Sequence, residues 1–543
     1  MHDISTPSDL AAHHARRVEE FEAAEDAARE NRARAERDVD YYDGKQWTEA
    51  EMRQLRRRGQ PVITFPLVKQ KIDFLQGLER TQRTRPRALP RTPAHEDDAI
   101  AATDALAFVA DDNRYEQIRS RVWKDILTAG WGGVEAVAEE ELFPRPGAPS
   151  LRVRLARCPW DRMFWDPHAA AEDFSDASYL GLVLWMDREE AVRHYGAEAG
   201  QVFDETADLA AQGSFEDRPS STRWVQSGRR RRVRVVQDYH LDEAGEWSFC
   251  EFTRGGILRQ GPSPWRDEHG RRVHPYIWRS AAVDRDNNRY GAVRDLVDVQ
   301  DEVNKRRSKA LHHFTARQTF GTPEIQGTTS VRELRQELAR PDGHVQLPMG
   351  AEWGRSFGII PTGDQAAGHF ELLQQAVQMF EALGPNAAML GKSSKEMSGR
   401  AILAEQQGGS VQMGTLTDTL RDLDHGVYRR VWNLIRQFWT GETWIRVTDD
   451  ARNLKWIGLN AAVAHPLTGL PVVVHSVADL DVDIVIDDAP DMIAPAIEQF
   501  QALVELKKLD AQNEIPFRLL IEAAPNLRNR DRLLQMMERA AGA

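Results

Sequence analysis

The order of apolar and polar positions divides the chain into helical and extended stretches. Residues 8–37 mix Ala, Glu and Arg in a helical composition, and Asp43-Gly44 then marks a turn. Thr48 followed by Glu51 is a capping-box spacing that opens a short helix to Arg58, and Gly59-Gln60-Pro61 ends it. Pro66, with its fixed φ, suits the start of a helix over Leu67–Thr81. Two more helices are expected over about 95–112 and 115–129. After Gly130 the period changes. Leu151, Val153 and Leu155 alternate with Arg152 and Arg154, the period-two mark of a strand. Further strands are expected near 179–186, 233–241, 246–253 and 256–260, separated by polar loops. Residues 60–290 therefore read as one α+β unit.

Arg289 to Arg317 reads as a long helix, roughly 40 Å at 1.5 Å per residue. Val293, Leu296, Val297, Val303, Ala310, Leu311 and Phe314 fall within about 140° of its wheel. Gln300, Asn304 and Arg307 interrupt that arc, and polar groups there need partners. The stripe is either an irregular solvated edge or a contact with a neighbouring helix. The second is the expectation, with a second subunit as one owner of that helix. Residues 319–364 are short, Gly/Pro-punctuated and mixed. A second helix over 365–383 carries Phe370, Leu373, Ala376, Val377 and Phe380 on one side. The small module would then sit at the far end of a two-helix stalk.

Ser398 to Phe438 is the longest helical pattern. Leu416, Leu420, Leu423, Val427, Val431, Leu434 and Phe438 fall within about 80°, and Tyr428, Trp432, Ile435 and Trp439 form a second apolar face. Such a helix is buried between layers or between subunits. Gly408-Gly409 is a place for it to kink. A β-rich piece over 443–487 and a helical region from Pro490 to Ala543 follow. No internal repeat of fixed period appears.

Composition narrows the class. The 543 residues suggest three or four structural units, and 41% hydrophobic with 29% charged residues allow a sizeable core. No run approaches the ~18 apolar residues of a membrane span, and Met1–Arg37 lacks the apolar stretch of a signal peptide. No membrane partner is expected. Cys158 and Cys250 are too few for a disulfide framework, which fits a reducing cytoplasm, and the 16 histidines show no zinc-site spacing. The formal net charge is −13, whereas proteins that grip duplex DNA usually carry a basic excess. Either DNA is irrelevant to this chain, or DNA passes it without sticking; charge does not separate the two.

The chemical motifs are weak. Gly391-Lys392-Ser393 ends like a phosphate loop, but position 386 is Asn where that loop needs Gly, and the segment follows a helix instead of a strand. Asp479, Asp481 and Asp483 alternate and could gather a cation, although a solvated strand face is the better reading. Arg229 to Arg232 with Arg234 is the densest basic run, either a phosphate contact or a basic hairpin tip. No Gly-x-Ser-x-Gly elbow and no Cys/His pair with an orienting carboxylate is present. No enzyme activity and no cofactor are expected.

Four segments in order resemble the portal proteins of tailed phages, of the podovirus type. Tyr42-Asp43-Gly44-Lys45-Gln46-Trp47 precedes Arg58-Gly59-Gln60-Pro61 and Phe65-Pro66-Leu67-Val68, and that helix exits through Gln82-Arg83-Thr84-Arg85-Pro86. Next comes Phe164-Trp165-Asp166-Pro167 with Asp173 and Ser175-Asp176-Ala177. The third is Arg289-Tyr290-Gly291 with Asp298, Gln300, Asn304 and Ser308, and the fourth is Ser398-Gly399-Arg400-Ala401-Ile402 with Gln406 and Gly408. The family usually has Asn where Phe65 stands, and a long C-terminal barrel extension is not expected after the last helix.

The resemblance implies an α+β, mainly helical, elongated protomer that closes into a ring, most often a dodecamer. It implies an N-terminal helical arm (1–59), a wing (60–290), a first stem helix (291–318), a clip (319–364) and a second stem helix (365–390). A channel loop (391–400), a long kinked helix (401–441), a β-rich segment (442–489) and crown-like helices (490–543) follow. It implies that Lys392, Lys395 and Arg400 face the channel, and it places Gln300, Asn304 and Arg307 at stem contacts between subunits. The implied partners are further copies of the chain, the large terminase subunit, the head-to-tail adaptor, and capsid and scaffolding proteins. Double-stranded DNA would pass without sequence specificity. The expected place is the portal vertex of the virion, after assembly in the bacterial cytoplasm. A head or connector structural protein without a DNA channel is the alternative.

Overall fold

The computed structural model describes residues 7–81, 86–90, 96–140, 151–212, 225–226, 232–315, 318–322, 342–347, 349–360, 363–384, 413–450, 453–464, 471–477 and 482–486. Isolated described positions lie at 333, 336–338, 500, 503–504, 506–508, 516 and 520–521. The helices are α1 (Pro7–Tyr42), α2 (Glu49–Arg57), α3 (Leu67–Thr81), α4 (Glu96–Asp112), α5 (Tyr115–Thr128), α6 (Arg188–Tyr195), α7 (Ala199–Gln212), α8 (Arg294–Thr315), α9 (Gly363–Ala382) and α10 (Gly414–Phe438). The strands begin with β1 (Pro86–Pro90), β2 (Trp131–Glu140), β3 (Leu151–Cys158), β4 (Met163–Trp165) and β5 (Tyr179–Asp187). Then come β6 (Val225–Gln226), β7 (Arg232–Leu241), β8 (Trp247–Thr253), β9 (Gly256–Pro262), β10 (Tyr276–Ser280), β11 (Ala282–Val283) and β12 (Arg289–Tyr290). The last are β13 (Gln318–Gly321), β14 (Phe357–Ile360), β15 (Thr443–Asp450), β16 (Asn453–Leu459), β17 (Ala461–Ala464), β18 (Pro471–Val474) and β19 (Val482–Ile486). The mixture of helix and sheet is α+β.

The chain divides into two compact units. The larger contains Met1–Ala35, Phe74–Gly291 and Glu396–Ala543; the smaller contains Glu36–Asp73 and Ala292–Lys395.

In the larger unit, β4, β5, β7, β8 and β9 form an antiparallel sheet, with β6 added on β7. Its central strand β7 is buried in succession from Val233 to Val236 because both of its faces are covered. Val233 and Val235 meet Ala191, Ala199 and Phe203 of α6 and α7. Val236 instead joins Phe21 and Ala24 of α1, with Phe164 and Phe252. Arg234 also faces α1, where it pairs with Glu25 at 2.7 Å and lies 4.7 Å from the Phe21 ring.

A second sheet runs β10-β2-β3. Gly133 stands opposite Trp278 in its register, and a Cβ there would sit 2.2 Å from the Trp278 ring. A glycine is the residue that lets this tryptophan lie flat on the sheet. Helix α10 contributes to the same unit. Leu423, Val427, Val431 and Leu434 on one face, and Tyr428, Trp432, Ile435 and Trp439 on the other, are all buried inside the protomer. Of the two sequence readings of this helix, burial between layers is the observed one, so its second face leaves no apolar surface waiting for another subunit. Gly408-Gly409 lies outside the described residues.

In the same unit Arg119 of α5 donates to both oxygens of Asp424 on α10 at 3.0 and 2.8 Å, and to Glu79 of α3. Tyr115 and Ser120 supply hydroxyls to these carboxylates at 2.8 and 2.7 Å. Burial still pushes the Asp424 carboxyl upward. β1 pairs antiparallel with β19, from Pro86 opposite Ile486 to Pro90 opposite Val482.

The smaller unit is built on α8 and α9. β13 follows α8 and pairs antiparallel with β14, which precedes α9, from Gln318↔Ile360 to Gly321↔Phe357. Helix α8 begins at Arg294, later than expected, because Arg289-Tyr290 forms β12 against Ala282-Val283.

Candidate assembly elements

The polar interruptions of α8 are met from within the chain. Gln300 and Asn304 are 0% and 1% exposed. The Gln300 side-chain oxygen accepts from the Val68 amide at 3.3 Å, and Gln300 Nε2 donates to Asn304 Oδ1 at 3.2 Å. Val68 lies in the first turn of α3, whose amides have no partner inside their own helix, so Gln300 acts as a cap reaching across. Asn304 accepts from the Phe65 amide at 3.0 Å and donates to Gln46 Oε1 at 2.6 Å. Ser308, one turn on, donates to the Pro61 carbonyl at 2.5 Å. The segment 41–68 thus lies along α8 on polar pegs spaced four residues apart. Within this protomer, Gln300 and Asn304 are almost fully buried and hydrogen-bonded to Val68, Phe65, Gln46 and each other. Arg307 is half-buried, with its guanidinium 5.6 Å from the Phe370 ring.

These contacts also account for the departure at position 65. The bond to Asn304 uses the Phe65 backbone amide, which every residue but proline supplies.

At the start of α8, Arg294 pairs with Asp38 at 2.7 Å. Burial nonetheless raises the Asp38 carboxyl to about 6. Asp301 accepts from the Tyr41 hydroxyl and lies 2.8 Å from Lys305.

In the larger unit Arg289 is fully buried. It donates to the carbonyls of Ala169 and Ala171 at 2.9 and 3.0 Å and to the Ser280 hydroxyl at 2.6 Å. Its guanidinium lies 3.8 Å from the Phe174 ring centroid, and burial lowers its pKa to about 10. Asp166 and Asp176 accept from backbone amides of the same loop, and Asn287 Nδ2 donates to the Pro167 carbonyl at 2.7 Å. Two segments more than a hundred residues apart, around 164–177 and 289–291, are therefore one structural element. Their sequence signal is local; their meeting is not legible in it.

Lys392, Lys395 and Arg400 lie outside the described residues, as do Asp479, Asp481 and Arg229 to Arg231. Asp483 is in β19 and Arg232 opens β7. Among the described residues no cluster of three His, Cys, Asp or Glu side chains is placed to hold a metal ion, and no helix is long and apolar enough to cross a membrane. Cys158 and Cys250 are free and buried.

Large apolar side chains are exposed on the smaller unit at Phe314, Phe320, Met349, Trp353, Ile360 and Met379. The β13–β14 ribbon shows why. Phe357 and Ile359 on one face pack with Leu338, Val345 and Leu347. Phe320 and Ile360, on the alternate positions, face outward at about 40% exposure.

The sequence comparisons point the same way. The chain matches the Phage P22-like portal protein family over residues 18–543. It is 19% identical over 431 residues to a portal protein of Helicobacter pylori bacteriophage KHP30; the match covers 78% of this chain and 66% of that protein, just under two thirds of its length. With a family match across nearly all of its length, the chain belongs to the P22-like phage portal proteins.

Proposed function

We propose that the chain is one protomer of a portal ring at a single capsid vertex, through which double-stranded DNA is packaged and later ejected without sequence recognition. The family match over residues 18–543 carries this reading. Two observations support it. Among the described residues, seven of the thirteen exposed large apolar side chains lie on the smaller unit, which holds the α8–α9 pair, where a closed ring needs contact surface. The net charge of −13 suits a wall that DNA slides past, since neutralising many phosphates would hold it in place. In this reading α8 and α9 are the stem, the β13–β14 ribbon and its neighbours are the clip, and 391–400 is the channel loop. The clip receives the large terminase subunit and then the tail adaptor, while capsid and scaffolding proteins meet the wing. Hydrolysis of ATP belongs to the terminase.

The test is mass photometry with negative-stain imaging of the purified chain. The expected result is a closed ring, most often a dodecamer, with a central hole wide enough for duplex DNA. Phe320→Ser with Ile360→Ser should shift the population to smaller species while leaving the circular dichroism unchanged. A monomer at every concentration overturns the reading. A ring too narrow for a duplex favours a head structural protein without a channel.

A further inference from the structure

We propose that a cavity in the larger unit, walled by β10, α10 and the loop at 267–269, binds a phosphate group, with Arg279, Arg430 and Asn433 as its donors. The ligand class is a small phosphate-bearing anion, either inorganic phosphate or a phosphate monoester. The site neither needs the ring of the portal reading nor excludes it.

The cavity measures about 330 Å³, at the lower end of the range for small-molecule sites. Arg279 comes from β10, and Arg430 and Asn433 lie three residues apart on one face of α10. Asn433 is 8% exposed, and among the described residues nothing hydrogen-bonds to its side chain. A buried amide in that state asks for a partner. Among the same residues the two guanidiniums are bound only to backbone. Arg430 donates to the His274 carbonyl, and Arg279 to the carbonyls of Trp278 and Asp422 at 2.8 and 3.3 Å. Each guanidinium has five donors, so most remain for a ligand. Burial lowers the pKa of Arg430 to about 10 and moves that of Arg279 in the same direction, so both stay charged at neutral pH. The acids of the cavity are already engaged. Glu268 accepts from Arg429 at 2.8 Å, Asp267 from the amides of His269 and Arg271 at 2.9 and 2.8 Å, and Asp173 from the Ser175 amide at 3.1 Å. A carboxylate ligand is satisfied by one planar guanidinium fork, whereas the oxygens of a phosphate diverge and take donors from two walls. Gly426 keeps those walls close: a Cβ there would stand 2.8 Å from Ile277 Cγ2 and 3.6 Å from Arg279 Nη2. Glycine weakens a helix interior, and its place here answers to this close approach.

Isothermal titration calorimetry of the full chain at fixed ionic strength tests the site with three probes: inorganic phosphate, adenosine monophosphate and a single-stranded oligonucleotide. Inorganic phosphate or the monophosphate should bind saturably at one site per chain, and the tighter of the two separates the free ion from its ester. Arg279→Gln and Arg430→Gln should each weaken that binding about tenfold, the loss that goes with one charged hydrogen-bond donor. Asn433→Asp keeps the shape of the side chain but puts a negative charge in the cavity, and should remove the binding. Arg188→Met, which takes away an exposed arginine paired with Asp204 in the same unit, should bind as the wild type does. Circular dichroism checks that each variant folds; if an arginine variant does not, Asn433→Asp is read in its place. No saturable binding of phosphate or the monophosphate to the wild type overturns the proposal. An equal loss in Arg188→Met, or undiminished binding in Asn433→Asp, overturns it as well. Binding of the oligonucleotide alone also overturns it, and gives the cavity to a nucleic-acid backbone instead.

Discussion

His13 shows how a single side chain can set the acid limit of a docked helix. It lies on α1 with its ring 5.6 Å from that of His240, near Arg17 and Asp238. Burial lowers its pKa to about 4, and the neighbouring His240 and Arg17 add to the effect. The folded chain therefore holds His13 neutral where the unfolded chain would bind a proton. Its contribution to stability is complete above pH ~6.5 and is lost as pH falls toward ~4. In His13→Gln that loss is absent. The wild type should lose about 1 kcal/mol more than the variant between pH ~7 and ~4.5, a figure reduced for screening because the ring is half exposed. Urea melts of both proteins at the two pH values measure it, and parallel acid losses would rule it out. Arg289 is the opposite kind of residue. It is a cation whose hydrogen bonds to backbone carbonyls and stacking on rings fix a loop.

At the scale of elements, α8 is held by pegs instead of a continuous apolar seam. Asn304 serves two partners at once, the Phe65 amide and Gln46. Asn304→Ala leaves both unmade in a buried place and should cost about 2–3 kcal/mol. Phe65→Asn keeps the amide and should cost less than half of that. Chemical denaturation of the two variants checks the order; equal losses would mean that the side chain at 65 matters as much as the peg. Much of this architecture is legible in the sequence. Helix α3 matches its expected bounds because Pro66 and a regular apolar period agree. The Thr48–Glu51 capping box is present with both reciprocal bonds. Other elements are hidden. β2 begins Trp-Gly-Gly; Gly133 answers to Trp278 on another strand and Gly132 to the close approach of α5, which no local pattern reveals. Helix α6 was not expected, yet it carries a local signal: Asp187 accepts from the Glu190 amide as an N-cap. Arg289-Tyr290 reads as the start of the following helix, yet it pairs as a strand with Ala282-Val283 and buries Arg289.

At the scale of the whole molecule, the portal reading gives Lys392, Lys395 and Arg400 one role in common. We propose, on that reading, that these three residues supply a repeated ring of cations for brief phosphate contacts in an acidic channel. The alternative is pairing with Glu396 or Glu405, where exposed ion pairs contribute about 0–1 kcal/mol. Replacing all three by alanine should leave ring assembly intact and impair packaging or retention of DNA. Particles that assemble, fill at the normal rate and keep their genome would reduce the loop to a connector.

The pairing of β1 with β19 has a further consequence, in time. Residues 86–90 are synthesised about 400 residues before their partner at 482–486. At roughly 5–20 residues per second, β1 waits about 20 to 80 seconds for the strand that completes it. During that wait its edge is unsatisfied, while Ala292–Lys395 has already been made. A ribosome that stalls before residue 482 releases a chain whose smaller unit can form but whose larger unit cannot close. Full-length synthesis then becomes a checkpoint: a nascent chain arrested at about residue 470 should expose residues 86–90 to protease, and the released full-length chain should protect them.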